Sequence, residues 1–360
     1  MGKRHYLRVC QEDKFGRKGI LDYICGMKAL LFSLALCFGL PAWAFSSKDV
    51  SVHNVSDNVV LAGTITLPDD GEPRAAIVMA TGSGAQDRDE AVAGHKPFKA
   101  IAEYLSGRGY AVLRMDDRGV GGSTGARENV TTSSNVRDVE AGLAWLDSAY
   151  NDVPAGVIGH SEGGIIALRT AAENPKCRFI VTLAGPAWKG DSLIMAQSRA
   201  LAMAVMGKWD GEAQQRALLA IAESDRPEFL AAPMMSYEIA KALGDAALLP
   251  QGKEYIAKSV EGMLSPWYRE FLRYDPAEDV RRVRVPWLAL NGDKDLQVPV
   301  ENLTTIRELN PAADAKVMEG HNHLFQHAST GLPTEYASLP EDISDETLAA
   351  IAAWLDGISR

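Results

Sequence analysis

The chain has 360 residues, 47 acidic against 37 basic side chains, and a net charge of −10. That length allows one large α/β unit with an insertion, and an acidic surplus argues against nucleic acid or anionic lipid as the main partner. It says little about a small substrate.

The first 44 residues differ in pattern from the rest of the chain. An apolar run at 29–40 follows Lys28 and closes in Pro41-Ala42-Trp43-Ala44, with the small-x-small ending of a signal-peptidase site. Cleavage after Ala44 is expected, with the signal core at 27–44 and a periplasmic or secreted product. The run starts directly after Met27, so residues 1–26 read as an upstream extension from a misassigned start; a genuine long basic leader is the alternative. An uncleaved anchor is disfavoured, since the run is shorter than the roughly 20 residues that span a bilayer, and Leu36 before Cys37 argues against a lipoprotein. Cleavage would remove Cys10, Cys25 and Cys37 and leave Cys177 alone, which permits no internal disulfide. The remaining chain would carry 30 basic and 44 acidic side chains, a net charge of −14.

From residue 59 onward, short β-rich runs alternate with helical ones. Strands are predicted at 59–67, 75–80, 110–115, 155–158, 179–183, 287–290 and 315–318, several of them continuous apolar runs of the kind buried on both faces of a parallel sheet. Helices are predicted at 98–106, 135–147, 164–173, 300–309 and 346–355. The fold class is therefore α/β, a mostly parallel central sheet with helices on both faces. Between 189 and 276 no strand is evident, only helical pieces at 191–206, 212–223, 237–243 and 254–263, which read as an inserted helical cap dividing a core of 45–188 and 277–360. Six of the eleven methionines fall there; packing of the cap's own core is the simpler account of them, an adaptable apolar pocket the more specific one.

A nucleophile can be sought in two G-x-S-x-G matches, at 121–125 and 159–163, so the motif alone is weak. The chemistry needs a strand ending at the serine and a helix starting just after it, a sharp turn that exposes the hydroxyl and aims a helix N-terminus at the reacting carbonyl. Ser161 has both, whereas Ser123 follows a strand that ended near Met115 and precedes a polar loop, and reads as a glycine-rich turn. A plain β-to-α turn is the bland alternative for Ser161. A serine also needs a histidine base and an orienting acid. Asp293 and Asp295 follow the strand at 287–290, and His321 and His323 follow the strand at 315–318, in the order this fold requires. His321, His323 and His327 also form H-x-H-x3-H, a conceivable zinc set; without a cysteine cluster or H-E-x-x-H it is the weaker reading. Gly119 and Gly121 lack the helix start and ribose-binding acid of a dinucleotide loop, and no other cofactor is implied.

These segments resemble the α/β-hydrolase superfamily, whose acid loop often reads G-x-x-D-x-x-V-P and whose histidine loop reads G-x-x-H. The resemblance implies Asp295 and His323 as acid and base, with Asp293 capping or bracing its loop and His321 a neighbour. The N–H groups of an oxyanion hole would come from Glu162, directly after the nucleophile, and from Ser83 in Thr81-Gly82-Ser83-Gly84, with Gly84 second choice. The stretch departs from the superfamily's usual H-G-x-G. As a set, G-T-I-T-L-P (63–68), G-S-G-A-Q-D-R-D-E (82–90), R-M-D-D-R-G-V-G-G-S-T-G (114–125), G-H-S-E-G-G and N-H-L-F-Q are similar to a bacterial group of secreted or periplasmic esterases related to serine aminopeptidase and lysophospholipase-like hydrolases. Asp87, Arg88, Asp116 and Arg118 are expected to border the site as charge pairs rather than to act in chemistry.

The expected function is hydrolysis of small carboxylic esters, short or medium in acyl length by the resemblance, through an acyl-enzyme on Ser161. An aminopeptidase or amidase with the same triad is the alternative and needs a cap carboxylate, among them Glu212, Glu223 or Glu238, to hold an amine. A noncatalytic binding protein on a hydrolase scaffold is the alternative of another class.

Overall fold

The computed structural model describes residues 45–69 and 72–358, so the expected leader and its cleavage site lie outside the described residues. Eight strands form one sheet: β1 (Phe45–Asn54), β2 (Val59–Pro68), β3 (Ala75–Ala80), β4 (Tyr110–Met115), β5 (Ala155–His160), β6 (Cys177–Leu183), β7 (Trp287–Gly292) and β8 (Asp314–Met318). Their order is β1-β2-β4-β3-β5-β6-β7-β8, with β1 and β2 antiparallel to their neighbours and the rest parallel. Every residue of β3, β4, β5 and β7 is buried, as the unbroken apolar runs require of strands covered on both faces. Alternate side chains divide between two cores: Ala76, Val78 and Ala80 face one, Ala75, Ile77 and Met79 the other.

The covering helices are α1 (Pro97–Ser106), α2 (Thr132–Ala149), α3 (Glu162–Glu173), α9 (Ala277–Arg282), α10 (Asn302–Leu309) and α11 (Asp345–Ile358). Strand β1 was not anticipated. Its sequence, F-S-S-K-D-V-S-V-H-N, is polar because it is an edge strand that buries only Val52 and Asn54, and register with β2 from Phe45↔Pro68 to Asn54↔Val59 holds it in place.

Between β6 and β7 the described chain is helical throughout: α4 (Gly190–Met206), α5 (Glu212–Glu223), α6 (Glu228–Leu243), α7 (Pro250–Leu264) and α8 (Pro266–Arg273), with a 3-10 turn at Gly244–Leu248. Its own core centres on Leu219, Ala222, Ala231, Met235 and Leu272. Among the described residues no helix is long and apolar enough to cross a membrane.

Strands β3 and β5 are neighbours although β4 intervenes in sequence, with Ala80 opposite Gly159. The chain thus winds in opposite directions from this point, and loops leaving the two carboxyl ends diverge around a crevice.

Candidate active site

Residues Ala155–His160 carry the chain to the crevice, and Ser161 turns it. Its φ of 54° and ψ of −120° lie in a region that side chains rarely adopt, and helix α3 starts at the next residue. Two backbone bonds hold the turn: Ser161 N–H donates to the Leu183 carbonyl and Gly164 N–H to the Ser161 carbonyl, each at 2.8 Å. The flanking glycines are there because nothing larger fits. A Cβ on Gly159 would overlap the Gly163 carbonyl, and one on Gly163 would overlap the Ala80 carbonyl. Ser123 sits in a turn, its hydroxyl donating to the Asp116 carbonyl at 2.8 Å and accepting the Ala62 N–H at 2.9 Å.

The loop after β7 fixes Asp295. Its Oδ1 accepts the N–H groups of Gln297 at 2.8 Å and Val298 at 2.9 Å, while Oδ2 accepts Nδ1–H of His323 at 2.8 Å. Both side chains are almost wholly buried. A carboxylate on Nδ1 places that proton and leaves Nε2 with a lone pair. The His323 ring lies 4.7 Å, centroid to centroid, from that of His160, the residue before Ser161, so the Asp295–His323 pair and the serine turn meet at one end of the sheet. Among the described residues no hydrogen bond joins the Ser161 hydroxyl to His323. Asp293 Oδ1 accepts the Gly320 N–H at 2.6 Å, tying the acid loop to the histidine loop.

His321 points elsewhere, with Nδ1 on the Glu319 carbonyl and Nε2 on the Ser344 hydroxyl, both at 2.7 Å. Ligand atoms of His321, His327 and Glu346 lie within 4.8 Å of one another, but both ring nitrogens of His321 are already engaged.

The loop after β3 faces the serine turn. A Cβ on Gly82 would stand 3.3 Å from the Ser161 Cβ, and the Gly82 N–H donates to Glu90 Oε1 at 2.6 Å. Ser83 comes next in the chain, exposed, its carbonyl accepting Gln86 Nε2–H at 3.1 Å. Asp117 braces this loop, accepting the Thr81 hydroxyl at 2.7 Å and the Gln86 N–H at 3.0 Å, and burial pushes its pKa up to about 7. Arg88 clasps Asp116 through Nε at 3.0 Å and Nη2 at 2.8 Å. Arg118 turns away to Asp138 and Asp57, and Asp87 accepts the N–H groups of Asp89 and Ala91.

The Glu162 side chain runs under α8, where its carboxylate accepts the Trp267 indole N–H at 2.8 and 2.9 Å and the Thr132 hydroxyl at 2.6 Å. Burial holds the Glu162 pKa above the usual carboxylate range, against the pull of those donors. In return, Glu270 of α8 accepts from Ser133 and Arg169 of the core. A cavity of about 630 Å³ lies beside the acid loop, walled by Trp188, Met195, Met203, Trp209, Asp295 and Val300. Nothing in the local sequence singles out Glu90, His160 or Trp267. Glu90 and His160 stand within recognisable motifs, but Glu90 and His160 are 70 positions apart, and Trp267 is 105 from Glu162, separations that no local pattern bridges.

Residues 72–236 match a family model described as serine aminopeptidase, S33. The chain is 24% identical to Esterase EstD of Thermotoga maritima over 316 residues, covering 87% of this chain and 68% of that one. It is 27% identical to a monoacylglycerol lipase of Mycolicibacterium smegmatis, covering 71% of this chain and 82% of the relative. In structure it is similar to an esterase of Pyrococcus furiosus, with a TM-score of 0.55 and 19% identity over 89% of this chain and 94% of the other. An α/β hydrolase of a Penicillium species superposes with a TM-score of 0.52 at 16% identity, over 78% and 91% of the two chains. With its sheet order, its parallel core and these likenesses, the chain has the α/β-hydrolase fold.

Proposed function

We propose that the protein hydrolyses small carboxylic esters, with Ser161 as nucleophile, His323 as general base and then acid, and Asp295 holding the imidazolium. One observation carries this reading: a serine at φ 54° on a strand-to-helix turn directly follows His160, whose ring lies 4.7 Å from a buried histidine with Nδ1 occupied by a fixed carboxylate. Ser161 Oγ attacks the ester carbonyl carbon as its proton passes to His323 Nε2. The negative charge on the carbonyl oxygen is met by the N–H groups of Glu162 and Ser83. The tetrahedral adduct expels the alcohol, which takes the proton back from His323. Water then attacks the acyl-enzyme by the same route and releases the acid. Catalytic contacts of this kind often tighten only when substrate is bound, which accommodates a serine hydroxyl not yet bonded to the base.

The names of the relatives, esterase and monoacylglycerol lipase, favour an ester over an amide. The S33 match keeps an aminopeptidase or amidase as the second reading. The helical insertion, in this proposal a cap over 189–276, would close on the acyl group, with the 630 Å³ cavity beside Asp295 as nearby room. Export after cleavage near Ala44 is a proposal from the sequence of 27–44, and sequencing the N-terminus of the protein made in its own host tests it.

The deciding experiment compares the chain from residue 45 with its Ser161→Ala variant on p-nitrophenyl esters of increasing length and on aminoacyl p-nitroanilides. Ester turnover is expected, falling at least about 1,000-fold in the variant. Anilide turnover without ester turnover would move the assignment to a peptidase, and unchanged turnover in Ser161→Ala would remove Ser161 from it.

A further inference from the structure

His160 is buried directly beneath the serine turn, and each of its ring nitrogens faces an acceptor. Nδ1 lies 3.0 Å from Glu90 Oε1, and Nε2 lies 2.9 Å from the carbonyl oxygen of His323. Carbonyls and carboxylates have no proton to offer, so only a ring protonated at both nitrogens satisfies both contacts. Glu90 is the counterion at hand, and the same Oε1 receives the Gly82 N–H at 2.6 Å. The pair therefore touches three loops at once: the loop after β3 through Gly82, the serine turn through His160 itself, and the histidine loop through the His323 carbonyl.

The arrangement is costly to the fold in two ways. Glu90 is 2% exposed with its Oε2 unpartnered, and its backbone φ is 50°. Buried unsatisfied oxygens and left-handed non-glycine residues persist where their surroundings hold them for a purpose. Ser161, Ala184 and Phe325 also have positive φ, each at or beside the carboxyl end of β5, β6 or the histidine loop, so strain collects along this rim.

We infer that Glu90 and His160 form a buried carboxylate–imidazolium pair that positions the oxyanion loop, the nucleophile turn and the His323 backbone relative to one another. Neither residue touches the reacting atoms; both act through Gly82, Ser161 and His323. Burial alone would depress the His160 pKa, but the charge and hydrogen bond of Glu90, the His323 carbonyl and the more distant Asp295 carboxylate outweigh it and raise the pKa. Neutralisation by Glu90 also matters to the reaction. A net positive charge 4.7 Å from the His323 ring would oppose the proton that ring must accept.

Two readouts test the pair, and the activity readout alone rests on the esterase reading. The first is ring 15N NMR of the chain from residue 45 at pH 7.5, with the His160 signal identified by its loss in His160→Gln. Both nitrogens should read as protonated in wild type and one in Glu90→Gln, which keeps an acceptor oxygen for Gly82 but removes the charge. A neutral His160 ring in wild type overturns the inference. The second is turnover of p-nitrophenyl butyrate per site titrated by a p-nitrophenyl phosphonate, which discounts protein that has merely failed to fold. For Glu90→Gln and His160→Gln, kcat per titrated site should fall about 10- to 100-fold with KM changed less than about threefold. A value within about twofold of wild type in both variants overturns the positioning role. If neither variant folds, the wild-type ring measurement still decides, with the His160 ring signals assigned by through-bond correlation to the residue's own backbone. Absence of ester turnover in wild type would defeat the esterase reading, and its survival in Ser161→Ala would remove Ser161 as nucleophile; either leaves the ring measurement to judge the pair.

Discussion

The carboxyl rim of the sheet and the helical insertion use the same residue types under opposite constraints. At the rim, a Cβ on Gly159 or Gly163 would run into backbone, and Ser161 and Glu90 occupy backbone regions that most residues avoid. In the insertion, Gly190 and Gly252 abut backbone just as closely, but Gly207, Gly244 and Gly262 have nothing within 4 Å of their Cβ positions. Ten of the twelve large apolar side chains exposed among the described residues also belong there, from Met203 to Tyr255. The rim is the more tightly determined; the insertion has a core of its own, joins the main core through Leu193 and Phe271, and is anchored by two carboxylates. Precision sits where the proposed reacting groups must meet, and latitude sits in the insertion.

Substitutions can sharpen that contrast, and Gly163→Ala should have the largest effect. Its methyl must push α3 away from the Ala80 carbonyl, which is expected to cost about 3 kcal/mol or more and to abolish turnover. Urea unfolding reads the loss, and a variant as stable as wild type would show that the turn can relax.

Asp117 gives a smaller effect that depends on pH. Its folded pKa of about 7 stands above the ordinary 3.8, so the folded state holds a proton that the unfolded chain releases. Stability from this group is fully present below about pH 4 and is lost as pH rises through 7. Relative to Asp117→Asn, wild type should therefore lose about 2 to 4 kcal/mol between pH 4 and 8. Urea melts across that range compare the two, and the pH-independent effects of the substitution cancel. A constant gap would mean that Asp117 ionises in the fold as easily as in water.

Gly262→Ala should have the smallest effect and the opposite sign. Within α7 the new methyl meets nothing and the unfolded chain loses freedom, for a gain of about 0.5 to 1 kcal/mol in a thermal melt. Destabilisation there would mean that the insertion is as tightly specified as the rim.

The same division explains what the sequence disclosed. Strands β3 and β4 have the ends expected of them, 75–80 and 110–115, because continuous apolar runs admit few registers when both faces are covered. Strand β1 escaped notice because an exposed edge needs no such run. Helix α6 starts at Glu228, nine residues before the stretch at 237–243 that looked helical, with Pro233 inside it masking the periodicity. Loops bearing Ser161, Asp295 and His323 could be found from chain order, since each comes after a recognisable strand. Choosing Asp295 over Asp293 took a resemblance, and the structure distinguishes them physically: one carboxylate reaches His323, the other the Gly320 amide. The Glu90–His160 and Glu162–Trp267 contacts were illegible because they join residues 70 and 105 positions apart through side chains that sequence cannot orient.

The route by which the insertion meets the core has a consequence for how such a protein can diversify. Helix α8 presents Trp267 to Glu162, the residue after the proposed nucleophile, and Glu270 to Ser133 and Arg169. The segment from α4 to α7 meets the core through this foot, through Leu193 of α4 and through the two chain crossings next to β6 and β7. Descendants of such a gene could therefore exchange most of the insertion, and with it the shape offered to a substrate, while inheriting the turn chemistry unaltered, provided that the foot is copied faithfully.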